Sequence, residues 1–167
     1  MDSDTLRARQ APLKARFKDD PASANATLRV VGTLDREHVA CRIESRGHTI
    51  AAGLHPLAGG DGSWACSGDM LLESLAACAG VTLTAVATAM NIPLRGGRVI
   101  AEGDMDFRGT LGLSKETPVG FQSIRLRFEL DTDATPEQKS TLIKLTERYC
   151  VILQTLKQPP TITAEIH

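Results

Sequence analysis

Two of the four cysteines lie inside the two segments that the sequence most strongly predicts to be helical. Cys78 lies in LAACAGVTL and Cys150 lies in TERYCVILQTL. Thiols in such positions can act as redox groups or nucleophiles, but free cysteine is also among the most commonly buried residues and can serve as a small hydrophobic side chain. Because the spacing does not show that the two thiols meet, both interpretations stay open at this point.

The cysteines and histidines lack the spacing of a metal site. No two of the four cysteines form a CxxC pair, and the histidines are scattered along the chain: His38, His48, His55 and His167. The sequence therefore gives little support to a structural zinc site, and we expect no metal and no cofactor. Acyl transfer by a cysteine also lacks support, because no histidine is placed near either helix.

The composition argues against several classes of protein. A chain of 167 residues suits one compact domain, and a net charge of -1 gives no overall field toward nucleic acid or anionic lipid. The N-terminus has no apolar secretory segment, so we expect a cytoplasmic protein with reduced thiols. The longest apolar stretch, 71–90, is interrupted by Glu73 and Ser74, which favours a core helix over a membrane span. We expect neither nucleic acid nor a membrane as a partner.

Residues 1–25 are predicted to form a basic helical arm in front of a main domain at 26–167. The arm carries the cations Arg7, Arg9, Lys14, Arg16 and Lys18, and two prolines that we expect to break helices, Pro12 and Pro21. A solvated helix is the favoured interpretation, and a nucleic-acid contact is the alternative.

Segments of alternating polarity predict strands on both sides of the first helix. They lie at 26–32, 38–44, 48–54, 98–108 and 122–130, and the first two are expected to form a hairpin. In the last segment, Ile124, Leu126, Phe128 and Leu130 share one face, which is typical of a sheet packed on helices. By the same alternation Cys41 is expected to point into the core.

The first helix is predicted over Asp69–Met90, capped by Ser67 or Asp69 and ended by Asn91-Ile92-Pro93. It is apolar or small on nearly every face, so we expect it to be central and buried. Gly80 in its middle costs about 1 kcal/mol relative to alanine, which a close neighbour at that point would explain.

The second helix is predicted to begin with a capping box, in which Thr135 is the N-cap, Pro136 the first helical residue and Gln138 the third. We expect it to run unbroken to Pro159, with a short strand at 161–166 after it. The order of strands, helix, strands and helix indicates an α+β fold.

The segment SGDMLLESLAACAGVTLTAVA resembles the first-cysteine helix of the OsmC/Ohr superfamily, and ERYCVILQTL resembles the second-cysteine helix. The order of elements is also similar, and the resemblance covers about residues 26–166. It implies two central cysteine-bearing helices packed on a strongly bent antiparallel sheet. It also implies an intertwined homodimer with its active sites at the subunit interface.

The resemblance implies a thiol-dependent peroxidase of the oxidative stress response that reduces organic hydroperoxides to alcohols. By position, Cys78 is the peroxidatic thiol, which becomes a sulfenic acid, and Cys150 is the resolving thiol, which then forms the Cys78–Cys150 disulfide. An external dithiol reductant restores both thiols by exchange. The alternatives are a non-enzymatic protein that binds a hydrophobic ligand and a redox sensor.

A peroxidatic thiol must be deprotonated, and burial in an apolar helix raises the pKa of a thiol. In the family, an arginine from the early strands lowers it, held by a carboxylate near the start of the first-cysteine helix. Arg36 is nearest to the arginine's position here, with Arg46 and Arg16 as alternatives.

The carboxylate position departs from the family's pattern. The hydroperoxide-reductase branch has Glu ten residues before the cysteine, whereas this chain has Gly68 there and Asp69 one residue later. Asp69 could orient the arginine or could only cap the helix.

The remaining candidate site residues are apolar or lie beside the cysteines. Leu72, Leu75, Val151 and Leu153 could accept the chain of an organic substrate. Trp64 and His55 could line the same pocket, although simple packing of Trp64 and a turn role for His55 are the alternatives. Glu147, three residues before Cys150, could act on the site indirectly or could only be part of a solvated helix face.

Overall fold

The computed structural model describes residues 1–45 and 47–166. Over these residues it contains five helices, α1 (Ser3–Asp19), α2 (Ser67–Ala89), α3 (Phe107–Thr110), α4 (Pro136–Tyr149) and α5 (Val151–Lys157). It also contains six strands, β1 (Val31–Leu34), β2 (Ala40–Ser45), β3 (His48–Gly53), β4 (Ala65–Cys66), β5 (Gly96–Asp104) and β6 (Ser123–Asp131). The predicted α+β class is confirmed.

The chain divides into two compact units. The first unit contains Met1–Ser23, Ser74–Ile100 and Leu126–His167, and the second contains Ala24–Glu73 and Ala101–Arg125. Both cysteines that the sequence singles out, Cys78 and Cys150, therefore belong to the first unit.

A four-stranded sheet in the order β1-β2-β3-β4 forms the centre of the second unit. The predicted hairpin is confirmed, because β1 pairs antiparallel with β2 and places Leu34 opposite Cys41, although β1 begins at Val31 rather than Ala26. The third predicted strand is also present and pairs with β2. The sequence did not predict β4, which has only two residues and pairs parallel with β3. Cys41 is half-buried, so its expected place in the core is only partly realised.

β5 and β6 form a separate two-stranded sheet. The burial of β6 alternates residue by residue, with Ile124, Leu126, Phe128 and Leu130 on the covered face, as predicted. The strand predicted to run to Arg108 ends at Asp104 instead. The reason is local, because the Asp106 carboxylate accepts the N–H of Arg108 at 3.0 Å and so starts the short helix α3.

The core of the first unit is formed where α2 and α4 pack with a residue that follows α2, a residue that precedes α4, and β6. Its buried members are Leu83, Ala87, Ile92, Ala134 and Leu142, and Phe128 and Leu130 of β6 pack against them. The two predicted cysteine-bearing helices therefore share one apolar core.

Only one stripe of α2 is covered within this chain, which corrects the expectation of burial on nearly every face. The stripe consists of Leu75, Ala79, Leu83 and Ala87, spaced by four residues, whereas Val81 on another face is 73% exposed. By length and composition α2 is also apolar enough to cross a membrane, a test that core helices of soluble proteins pass as well. At Gly80 an added Cβ would lie 3.5 Å from Cγ2 of Val99 in β5, an ordinary van der Waals contact, so this neighbour does not explain the glycine.

The N-terminal segment forms α1, which begins at an N-cap, Asp2, whose carboxylate accepts the N–H of Thr5 at 2.7 Å. Pro12 lies inside α1, so the expectation that it breaks the helix is wrong. A proline removes one helical hydrogen bond, and the bonds formed on either side of it suffice to carry this helix to Asp19. Pro21 does lie beyond the end of the helix, as expected.

The predicted capping box of α4 is confirmed at both of its bonds. The Thr135 hydroxyl accepts the N–H of Gln138 at 3.2 Å, and the Gln138 side chain accepts the N–H of Thr135 at 2.9 Å. The expectation of one unbroken helix is wrong, because α4 ends at Tyr149 and α5 begins at Val151. The final strand expected at 161–166 is not formed among the described residues, where no strand pairs with it and Ile162 is exposed.

A left-handed residue ends α2. Asn91 has φ 54°. The N–H of Ile92 donates to the carbonyl of Ala87 at 2.9 Å, and the N–H of Asn91 donates to the carbonyl of Thr88 at 3.1 Å. These two bonds around a left-handed residue form a Schellman motif, which satisfies carbonyls that the helix end would otherwise leave unpaired.

We predict opposite responses to two substitutions of Asn91. Asn91→Ala should lower the free energy of unfolding by about 1 kcal/mol, because alanine is strained at positive φ, whereas Asn91→Gly should leave it unchanged or raise it slightly. Urea unfolding of both variants beside the parent chain measures the difference. Equal stability of the two variants would contradict the motif.

Candidate active site

The break between α4 and α5 places Cys150 outside both helices. The N–H of Cys150 donates to the carbonyl of Thr146 at 2.9 Å, which closes α4, and the N–H of Gln154 donates to the carbonyl of Cys150 at 2.9 Å, which opens α5. Between them Cys150 is extended, with φ -72° and ψ 107°. The first N–H groups of any helix lack a carbonyl of their own helix, so the break frees the N–H groups that follow Cys150 for another acceptor.

One such acceptor is the sulfur of Cys78. Partial burial raises the pKa of the Cys78 thiol, but the N–H of Ile152, the Cys150 thiol, the N–H of Val151 and the Thr82 hydroxyl hydrogen-bond to its sulfur and outweigh burial. The net pKa of Cys78 is therefore below its usual value. Donors of this kind favour the thiolate because they bind the charged form more strongly than the neutral thiol.

Cys150 responds in the opposite direction. Its side chain is 0% exposed, and this burial is the main cause that raises the pKa of its thiol. The hydrogen bond and the negative charge of Cys78 raise the pKa of Cys150 further. The pair therefore consists of a half-buried thiol whose pKa is lowered and a buried thiol whose pKa is raised, in hydrogen-bond contact with each other.

This geometry permits the two sulfurs to react with each other. Both cysteines are free thiols in the structure, and they belong to the same compact unit. A thiolate in contact with a second thiol can pass between a dithiol and a disulfide state by thiol–disulfide exchange. The spacing in the sequence left this contact open.

Glu147 connects the two helices across the break. Its carbonyl accepts the side-chain N–H of Gln154 at 2.6 Å, and its carboxylate lies 3.3 Å from Nζ of Lys157. Both partners are in α5, whereas Glu147 is in α4. The side chain is exposed, and these contacts join Glu147 to α5 rather than to either cysteine.

Sequence reasoning missed the groups that hydrogen-bond to Cys78. Thr82 could have been found, since it follows Cys78 by four residues on one helix and such residues lie on the same face. The N–H groups of Val151 and Ile152 had no signal in the sequence, because their availability depends on a helix break that no proline or glycine marks.

Arg36 lies in the hairpin loop between β1 and β2, in the second unit, where it is exposed. The loop is fixed by the Asp35 carboxylate, which accepts the N–H groups of Glu37 at 2.9 Å and His38 at 3.0 Å. Of the alternative arginines, Arg16 is in α1 and lies over the ring of Phe17, 5.0 Å from its centroid. Arg46 lies outside the described residues. Which arginine acts on Cys78 stays a prediction.

Three of the predicted site residues line one cavity of about 330 Å³ in the second unit, namely His55, Asp69 and Leu72. His55 is stacked on Phe107 with ring centroids 4.6 Å apart, and its Nδ1 accepts the N–H of Leu57 at 3.0 Å. In the neutral ring the proton is therefore on Nε2. Asp69 is exposed in the first turn of α2, where a carboxylate complements the helix dipole.

Two other predicted substrate contacts do not line this cavity. Leu75 is 0% exposed, so it has no surface for a substrate in this chain and serves as a core residue, which corrects the expectation. Trp64 packs edge-on against His38 at 5.0 Å between ring centroids, and its ring lies beside Gly53. Cys66, which precedes α2, does line the cavity, and its sulfur accepts the N–H of Gly68 at 3.4 Å.

We predict that the Thr82 hydroxyl contributes to the low pKa of Cys78. Thr82→Val removes the hydroxyl and should raise the pKa of Cys78 by about half a unit, so the thiolate fraction at neutral pH falls, whereas Thr82→Ser should keep the parent value. The rate of alkylation of Cys78 by iodoacetamide against pH, followed by peptide mass spectrometry, gives the midpoint. A valine variant with the parent midpoint would exclude this contribution.

Comparison with known proteins identifies related folds. An OsmC-like protein from Mycoplasma pneumoniae has a TM-score of 0.68 at 17% identity, covering 81% of this chain and 90% of its own. An organic hydroperoxide resistance protein OsmC from Legionella pneumophila has a TM-score of 0.62 at 14% identity, covering 80% and 93%. An organic hydroperoxide resistance protein from Elizabethkingia anophelis has a TM-score of 0.60 at 13% identity, covering 81% of this chain and 92% of its own.

Structures at such low identity establish the fold, and they confirm the predicted OsmC-like fold. No curated protein sequence matches the chain. The family model described as OsmC-like protein, in contrast, matches residues 60–165, which is more than half of the chain and includes both cysteines of the pair. The chain belongs to the OsmC-like protein family.

Proposed function

We propose that this protein is a thiol-dependent peroxidase that reduces organic hydroperoxides to alcohols, with Cys78 as the peroxidatic and Cys150 as the resolving thiol. The observation that carries the proposal is the contact between a thiol of lowered pKa and a buried thiol of raised pKa. Some structural neighbours are named organic hydroperoxide resistance proteins, which agrees with this chemistry.

In the first step, the Cys78 thiolate attacks the distal oxygen of the hydroperoxide. A sulfur–oxygen bond forms, the oxygen–oxygen bond breaks, and the departing alkoxide takes up a proton to leave as the alcohol. Cys78 is then a sulfenic acid. The low pKa of Cys78 matters here because the thiolate, rather than the thiol, is the nucleophile.

In the second step, Cys150 resolves the sulfenic acid. The negative charge of Cys78 helps to keep Cys150 protonated, and this charge is gone once Cys78 is oxidised, so Cys150 ionises more readily. Its sulfur attacks that of Cys78, a disulfide forms, and the sulfenic oxygen leaves as water. A dithiol reductant then restores both thiols by two exchange steps.

An organic substrate is favoured over hydrogen peroxide by the apolar surface beside the pair. Val151, whose N–H interacts with Cys78, is 68% exposed, and Leu153 in the same helix is half-buried. An alkyl or acyl group gains free energy by covering such side chains, whereas hydrogen peroxide gains none. Leu72 belongs to the proposal as a further apolar contact.

The proposal extends to residues and partners expected from the family. Arg36 is proposed to favour the thiolate further and Asp69 to orient that arginine. A second copy of the chain is proposed to cover the exposed side of α2 in a homodimer, since an apolar helix face of this length is seldom left in water. The protein is proposed to act in the cytoplasm in the oxidative stress response, and neither a membrane nor nucleic acid is proposed as a partner.

We predict that Cys78→Ser abolishes turnover of cumene hydroperoxide with a dithiol reductant, because the serine hydroxyl cannot replace the proposed thiolate nucleophile. Without reductant, Cys150→Ser should consume about one equivalent and then stop, with Cys78 trapped as a sulfenic acid that a dimedone probe labels, whereas the parent chain should form the disulfide and escape labelling. Peroxide consumption and mass spectrometry measure both results. Cys41→Ser is the matched control and should keep the parent rate.

The same assay separates the alternatives. A non-enzymatic binding protein would show equal peroxide consumption in Cys78→Ser and in the parent chain, which would end the peroxidase proposal. A redox sensor would form the Cys78–Cys150 disulfide once and show no sustained turnover with excess dithiol. A parent rate at least as high with hydrogen peroxide as with cumene hydroperoxide would contradict the organic substrate.

A further inference from the structure

Gln154 donates a hydrogen bond to a carbonyl that would accept from another residue in an unbroken helix. Its side-chain N–H donates to the carbonyl of Glu147 at 2.6 Å. In a continuous α-helix that carbonyl would accept the backbone N–H of Val151, four residues later. The side chain of Gln154 therefore stands in for the N–H that the break withdraws from the helix.

The break needs such a support because the local sequence favours a continuous helix. Tyr149, Cys150 and Val151 include no proline and no glycine, and the segments on both sides are helical. The carbonyl of Glu147 needs a donor, and in a continuous helix that donor would be the N–H of Val151. If Val151 bonded to Glu147, its N–H could not face Cys78.

We propose that Gln154 is a positioning residue that holds α4 and α5 apart, so that the N–H groups of Val151 and Ile152 stay directed at the sulfur of Cys78. Any effect of Gln154 on turnover rests on the proposed function. Its effect on the N–H groups that face Cys78 does not. Gln154 does not touch Cys78 and acts through the helix break.

A second link across the break provides a matched control. The Lys157 ammonium lies 3.3 Å from the Glu147 carboxylate, but both side chains are about half exposed, and exposed ion pairs contribute little. The inference assigns the positioning to the contact with the Glu147 carbonyl, so removal of this ion pair should leave Cys78 unchanged.

The test is the pH profile of Cys78 alkylation by iodoacetamide in Gln154→Met and Lys157→Met. Methionine keeps the length and helix propensity of glutamine but donates no hydrogen bond. In Gln154→Met the midpoint should rise by about half to one pH unit, and the rate at pH 7 should fall about 3- to 10-fold. Lys157→Met should stay within about 0.2 units of the parent. The inference would be overturned if the midpoint of Gln154→Met equalled that of the parent chain, or if Lys157→Met shifted the midpoint by the same amount.

A measurement on the unsubstituted protein covers the case in which Gln154→Met does not fold, which circular dichroism would reveal. The amide proton shifts of Val151 and Ile152 should titrate with the midpoint of Cys78, because their N–H groups face its sulfur. Amide shifts that do not follow that midpoint would refute the inference. Neither measurement uses a peroxide, so both can be interpreted even if the protein is not a peroxidase. Conversely, a negative result in these measurements does not affect the peroxide assay.

Discussion

The candidate site depends on one interaction, between the sulfur of Cys78 and the N–H groups of Val151 and Ile152. Burial alone would make Cys78 a weaker acid, and the backbone donors reverse that effect. They are available only because the helical hydrogen bonds stop at Cys150 and resume at Gln154. A local interruption of secondary structure therefore changes the chemistry of a residue on a different helix.

The same interruption separates the properties of the two thiols. Cys150 is the residue at the break, and the core covers it completely, so its pKa rises for lack of solvation. Cys78 lies on α2 at the edge of its covered stripe and keeps access to a reactant. One arrangement thus yields a half-buried thiol of lowered pKa beside a buried thiol of raised pKa.

The parts of the fold that could be predicted from the sequence are those fixed by neighbouring residues. The capping box at Thr135, the end of α2 at Asn91 and the alternation of β6 depend on contacts within a few positions. The break at Cys150 could not be predicted, since local propensity favours helix on both sides and the competing interaction comes from α2. For the same reason the pattern of α2 showed that its faces are apolar but not which of them this chain would cover.

The sequence indicated which types of group a peroxidatic thiol would need, but not the geometry of the candidate site. Because Cys78 was expected to be buried, a positive group or a strong donor was expected beside it, and Arg36 was the candidate. The structure supplies donors from the backbone, together with Thr82, and these depend on helix geometry rather than on the side chain at Gly68 or Asp69. Because these donors come from the main chain and from Thr82, their effect on the pKa of Cys78 does not require a glutamate at position 68. A chain whose thiol is stabilised by main-chain N–H groups can lose the carboxylate that orients an arginine and still keep the pKa of Cys78 low.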